Sequence, residues 1–185
     1  MSEAVNGKSN SGPLGLLGFG MTTVLLNLHN AGITELSVVI VAMGFAFGGA
    51  AQIIAGVLEF RSGKTFGGTA FCAYGCFWWS LCLIWISPFG KIAPADEKTM
   101  GFYLMLWGIF TLFMFIGTLA HNRATQTVFL TLTVLFFLLA IADWTESHTL
   151  KIIAGIEGIV CGLSAIYSAL GQIVNGELKK NIFPL

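Results

Sequence analysis

Five stretches of this 185-residue chain hold no charged side chain, and a sixth holds one. The gaps run from Lys8 to Glu35, Glu35 to Glu59, Lys64 to Lys91, Lys98 to Arg123 and Arg123 to Asp143, and the sixth, Lys151 to Glu177, is broken by Glu157 alone. Each gap can hold a helix of about 20 residues, which at a rise of about 1.5 Å per residue crosses a hydrocarbon core of about 30 Å. Barrel strands would alternate apolar and polar, whereas Leu135-Phe136-Phe137-Leu138-Leu139 is apolar on every side. The pattern therefore predicts six spanning helices, at Leu14–Asn30, Leu36–Phe60, Phe66–Ser87, Met100–Ala120, Thr125–Asp143 and Leu150–Val174.

Composition agrees. Charged residues make up 10% of the chain and hydrophobic ones 56%, against about 25% charged in a typical soluble domain. An all-α integral membrane protein is expected. Connections such as Arg61-Ser62-Gly63-Lys64 leave no room for a second domain. The expected organisation is a disordered cytoplasmic tail over 1–12, a transmembrane transporter domain over 13–176 and a short cytoplasmic tail over 177–185.

With six spans both termini share a side, which collects Lys8, Arg61, Lys64, Arg123, Lys179 and Lys180 and leaves Lys91, Lys98 and Lys151 opposite. The excess of cations places both termini in the cytoplasm of a multi-pass cell-membrane protein. The first apolar run is expected to stay as helix one, being too long for a signal-peptide core and followed by five more spans. Nine Lys and Arg balance nine Asp and Glu, so there is no basic field to gather nucleic acid.

No catalytic motif occurs: there is no H-E-x-x-H, no G-x-S-x-G and no phosphate-cradling Gly-Lys loop. An enzyme is not expected, nor a cofactor or metal. Cys72, Cys76, Cys82 and Cys161 lack zinc spacing and read as small core residues. The five Trp suit core and interface positions.

Function must then reside in polar groups within the helices, because lipid forces each to find a partner or a water-filled cavity. On the first helix Phe19, Thr23, Asn27 and Asn30 share a face; on the second, Gly48, Gln52, Gly56 and Glu59 do. Two such stripes in a greasy bundle fit a narrow lined pathway through one protomer; bonding between helices is the rival explanation. Glu59 is expected at the cytoplasmic end beside Arg61, Asp143 and His29 solvated at outer ends, and Glu157 inside the membrane. The pairs Gly44/Gly48 and Gly158/Gly162, the latter extended by Ala165 and Ala169, permit close helix contact and are candidate faces for self-association.

The residues also carry a resemblance. Asn10 to Leu16, Gly18 to Thr23 and Asn27 to Asn30 resemble the opening signature of the acetate uptake transporter family, the succinate-acetate permeases. Gly49 to Ile53 with Gly56 and Glu59, Thr69 to Phe71 with Tyr74-Gly75, Leu106 to Met114, and Ser164 to Tyr167 are similar to further family segments. Two departures stand out. Ser11-Gly12 replaces the usual Pro-Ala, a change expected to loosen the start of helix one, and Glu157 occupies a position expected to be apolar.

The resemblance implies a six-helix protomer in a homohexameric ring, transporting acetate, related monocarboxylates and succinate with protons. It implies a constriction of Phe19, Tyr74 and Leu132. Thr22, Thr23, Asn27 and Gln52 would bind substrate oxygens, and Ala165 would lie near the constriction. Glu59 is implied as the proton-coupling candidate. An apolar ring suits the task, since a carboxylate is costly to strip of water. An acid-gated urea or amide channel is the alternative, and a non-transporting scaffold a third reading.

Overall fold

The structure, a computed structural model, describes residues 9–185. The expected tail over 1–12 thus lies largely outside the described residues; helix begins at Gly12. Six helical rods follow: α1 (Gly12–Asn30), α2 (Val38–Arg61), α3 (Thr65–Ile86), α4 (Glu97–Thr118), α5 (Arg123–Trp144) and α6 (His148–Leu178). The described residues contain no strand. Five of the rods, α2 to α6, are long and apolar enough to cross a membrane; α1 has 19 residues but is the more polar one.

Starts and stops follow from local chemistry. Pro13 occupies the first turn of α1, where its missing N–H costs nothing. Asp96, Asn122 and Ser147 accept from the backbone N–H of Thr99, Thr125 and Leu150, capping α4, α5 and α6. The stop of α2 shapes the site. Gly63 has φ +75°, so the Gly63 N–H reaches Phe60 O at 2.9 Å and the Lys64 N–H reaches Glu59 O at 2.9 Å. This Schellman closure folds Lys64 back over the last turn.

The expected second span is one rod, but not one uniform α-helix. Gly44–Ala51, with sequence GFAFGGAA, is π-helical, a wide geometry that is frequent at functional sites. The chain's last residues are exposed but held against α6. α6 runs to Leu178, and the residues after it fold back: Asn175 Nδ2 donates to Phe183 O at 2.8 Å, and Tyr167 Oη to Pro184 O at 2.8 Å.

The rods close in the order α1–α2–α3–α4–α5–α6 and back to α1. Small residues allow close packing at two seams, α1–α6 and α2–α3. Gly20 and Gly162 meet between α1 and α6, Gly56 meets Cys72 and Gly68 between α2 and α3, and Gly44 and Gly48 receive the Trp78 ring. The pairs Gly44/Gly48 and Gly158/Gly162 are therefore consumed within one chain, Gly158 lying on Asn27, rather than left for self-association. The α3–α4 seam differs: Phe77 stacks on Tyr103 at 5.7 Å and Tyr74 meets Phe110 at 5.5 Å, so aromatic rings fill a wider gap.

Three other expectations need correction. Cys82 and Cys161 are core residues, but Cys76 is exposed on the outer surface. Asp143 is buried rather than solvated, with its Oδ1 3.6 Å from Lys151 Nζ. His29 is half-buried, its Nδ1 3.1 Å from Thr34 O.

Candidate functional site

A cavity of about 500 Å³ opens at the end of the ring where α1 begins and α6 ends. Its mouth carries Asn10, Glu59, Lys64, His121 and Gln172; its floor is Phe19, Tyr74 and Leu132. Phe19 and Tyr74 rings lie 6.1 Å apart, and all three floor residues are almost wholly buried. They come from α1, α3 and α5, so the cavity is closed below by apolar groups from alternate helices. Tyr74 is fixed from behind by Thr111 on α4, 3.0 Å from its phenolic oxygen.

Gln52 is the polar group that stands out. It lines the cavity, is 0% exposed, and neither its Oε1 nor its Nε2 has a hydrogen-bond partner among the described residues. Buried amides are nearly always paired, and an unpaired one costs free energy. A carboxamide kept free beside a cavity offers donors and an acceptor to whatever enters.

Glu59 is 5% exposed and doubly held. Ser11 Oγ donates to its Oε1, and Lys64 Nζ stands 3.4 Å from the same oxygen. Its partner cation is thus Lys64, not the adjacent Arg61, because the Schellman closure turns Lys64 inward. Ser11 does not loosen the start of α1. Its hydroxyl ties α1 to α2, and Asn10 Nδ2 ties the same segment to Gln172 Oε1 at 3.1 Å.

The two polar stripes separate on folding. In α2, Gly48 and Gly56 pack on α3, whereas Gln52 and Glu59 face the cavity. In α1, only Phe19 of the expected stripe lines it. Asn27 donates to Thr23 O at 2.9 Å and accepts from Asn30 at 3.0 Å, and Thr22 donates to Gly18 O at 2.8 Å. Those bonds are structural. Ala165 is fully buried and Thr23 is buried with an unpaired hydroxyl; neither lines the cavity. Glu157 is half-buried in α6 with one unpaired oxygen, also away from the cavity.

The aromatic wall was not anticipated. His121 packs at a tilt against Phe66 at 4.8 Å, Phe66 meets Phe129 at 5.4 Å, and Phe129 meets Tyr74 at 6.2 Å. The rings form a continuous path from mouth to floor.

Residues 2–183 match the model of the GPR1/FUN34/yaaH family. The chain belongs to that family. Among its curated members, the chain is similar to the succinate-acetate/proton symporter SatP of Escherichia coli K12, with 49% identity over 178 residues covering 96% of this chain and 95% of that protein. It is more distantly similar to ammonia transport outward protein 2 of Saccharomyces cerevisiae, at 35% identity over 91% of this chain and 63% of that family member. The solved structure of the bacterial acetate channel SatP superimposes with a TM-score of 0.94 at 49% identity, covering 96% of this chain and 98% of that one. The GPR1/FUN34/yaaH fold thus extends over nearly the whole chain, cavity and floor included.

Proposed function

We propose that this protein carries acetate and related short carboxylates, with succinate as a second substrate, across a membrane together with protons. The observation that carries this reading is the cavity closed by Phe19, Tyr74 and Leu132 with the unpaired carboxamide of Gln52 in its wall. A carboxylate entering past Lys64 meets the Gln52 amide, which compensates part of the water it loses. The apolar floor then selects by size, since bulk ions keep their hydration shells and a two-carbon acid is small enough to pass. Likeness to a succinate-acetate/proton symporter and to an acetate channel supports the substrate class. Thr23 receives substrate beyond the floor, and Ala165 limits the space behind it. Glu59, held by Ser11 and Lys64 at the mouth, is the carboxylate through which protons are coupled.

In this reading all six rods span the membrane, α1 being sheltered between α2 and α6 despite its polar side chains. The cation excess at the cavity end puts both termini and the mouth in the cytoplasm. The protein works as a homohexameric ring with one pathway per protomer. Its contacts between copies use the exposed apolar side chains that the bundle leaves outside, such as Leu106 and Phe113.

Uptake of labelled acetate and of labelled urea into proteoliposomes tests the proposal. Acetate uptake without urea uptake is the expected result. Urea uptake alone would establish an amide channel, and uptake of neither would leave a membrane scaffold.

A further inference from the structure

Two more buried polar atoms lack a partner among the described residues, and both stand one helical turn beyond the floor of the cavity. Thr23 follows Phe19 by four residues on α1, and Trp78 follows Tyr74 by four on α3. Both helices start at the cavity end, so each step of four leads the same way, about 6 Å deeper into the bundle. Thr23 is 3% exposed and Trp78 2%, yet Thr23 Oγ1 and Trp78 Nε1 make no hydrogen bond.

Neither omission is forced by the type of residue. Other buried threonines return their hydroxyl to the preceding turn: Thr22 to Gly18 O, Thr111 to Trp107 O at 2.7 Å, Thr133 to Phe129 O at 2.7 Å. Other tryptophans find carbonyls: Trp79 Nε1 donates to Phe45 O at 2.9 Å, Trp144 Nε1 to Lys98 O at 3.2 Å. Trp78 is fixed without such a bond. Its Cγ, Cδ1 and Cδ2 are the atoms nearest Gly48, and its Cε3 lies against Gly44. The glycines of α2 thus seat the ring and leave its N–H inside the bundle, screened from solvent.

We infer that Thr23 and Trp78 form a carboxyl-binding station just beyond the constriction, which receives the substrate as it leaves the Phe19–Tyr74–Leu132 ring; this rests on the transport reading above. An indole N–H only donates, so the ligand there must present a lone pair, as a carboxyl oxygen does and an ammonium ion does not. The threonine hydroxyl donates to a carboxylate or accepts from a protonated acid, so the station accommodates either form. Two neutral donors hold the ligand weakly enough to let it go, which conduction requires.

The test uses the full-length protein, with its tryptophans carrying ¹⁵N in the indole ring, in lipid nanodiscs. The Trp78 resonance is assigned by its loss in Trp78→Phe, a variant that keeps an aromatic ring against Gly48. Titration with sodium acetate is expected to move that resonance, ammonium chloride at equal concentration to leave it in place, and Thr23→Val to reduce the acetate shift. In proteoliposomes Trp78→Phe is expected to lower acetate uptake roughly tenfold, the effect of one lost hydrogen bond to a charged acceptor. Intact wild-type uptake with an unmoved Trp78 resonance, or undiminished uptake by Trp78→Phe, overturns the station alone. Absent uptake by the wild type removes the transport reading and the station with it.

Discussion

The Tyr74 phenol and the Thr111 hydroxyl stand 3.0 Å apart, and the direction of donation between them is fixed. Thr111 spends its one proton on Trp107 O at 2.7 Å, so Tyr74 must be the donor. A cavity-floor residue on α3 is thereby held in place by α4, across the seam where the two backbones are farthest apart.

Thr111→Val therefore leaves a buried phenol without an acceptor, at a cost of about 1–3 kcal/mol. The melting temperature in detergent should fall, and Tyr74→Phe should restore part of it in the double variant. Additive losses in that cycle would show the two groups to be uncoupled.

Leu132→Ala opens the floor while leaving every polar group in place. Lactate uptake should rise relative to acetate, with a stability loss of about 2–5 kcal/mol for a buried leucine. An unchanged lactate-to-acetate ratio in folded protein would sink the role given to Leu132.

Gln52→Leu separates function from stability. Removing a buried, unpaired amide should raise stability by about 1 kcal/mol while acetate uptake falls. A lower melting temperature would instead mean that the amide is satisfied in the membrane, by water or by a neighbouring copy.

Glu59→Gln keeps the shape of the side chain and an acceptor for Ser11 while removing the charge that pairs with Lys64. Acetate uptake should fall and its dependence on pH should flatten, with the oligomeric state read by native mass spectrometry unchanged from wild type. If the variant keeps the wild-type pH profile, Glu59 is structural and the proton travels on the substrate as acetic acid.

Asp96 gives a pH effect remote from the pathway. The backbone N–H and the hydroxyl of Thr99 both donate to its carboxylate and hold it below the usual carboxylate range. A depressed folded value means stabilisation that is present at neutral pH and lost as pH falls through that value. Asp96→Ala should lower the melting temperature at neutral pH, and the difference from wild type should shrink in strong acid.

The helices were legible in the sequence because lipid forbids charge over a span's length, so Glu35, Glu59, Lys91 and Arg123 announced the turns. Phe19, Tyr74 and Leu132 could not be joined by periodicity, since they lie on three different helices; resemblance alone brought them together, and all three line the one cavity. Helical faces misled where a polar side chain had a nearer partner: Asn27 shares a face with Phe19, yet its amide turns to Thr23 O and Asn30. Lys64 was passed over for Arg61 because proximity along the chain ignored Gly63, whose positive φ turns the backbone. That glycine was the readable signal.

The π-helical stretch Gly44–Ala51 includes Gly44 and Gly48, which seat Trp78, and separates the first turns of α2 from the part that carries Gln52 and Glu59. One of its carbonyls and the one just before it are already engaged sideways, Phe45 O by Trp79 and Met43 O by Thr22. A helix closed through i+5 bonds can tighten to i+4 by local exchange of acceptors. In α2 such an exchange would turn the two parts about their common axis like a coupling in a drive shaft. The Gln52 amide would then change its bearing relative to the first turns of the rod while both ends of the rod kept their places in the ring.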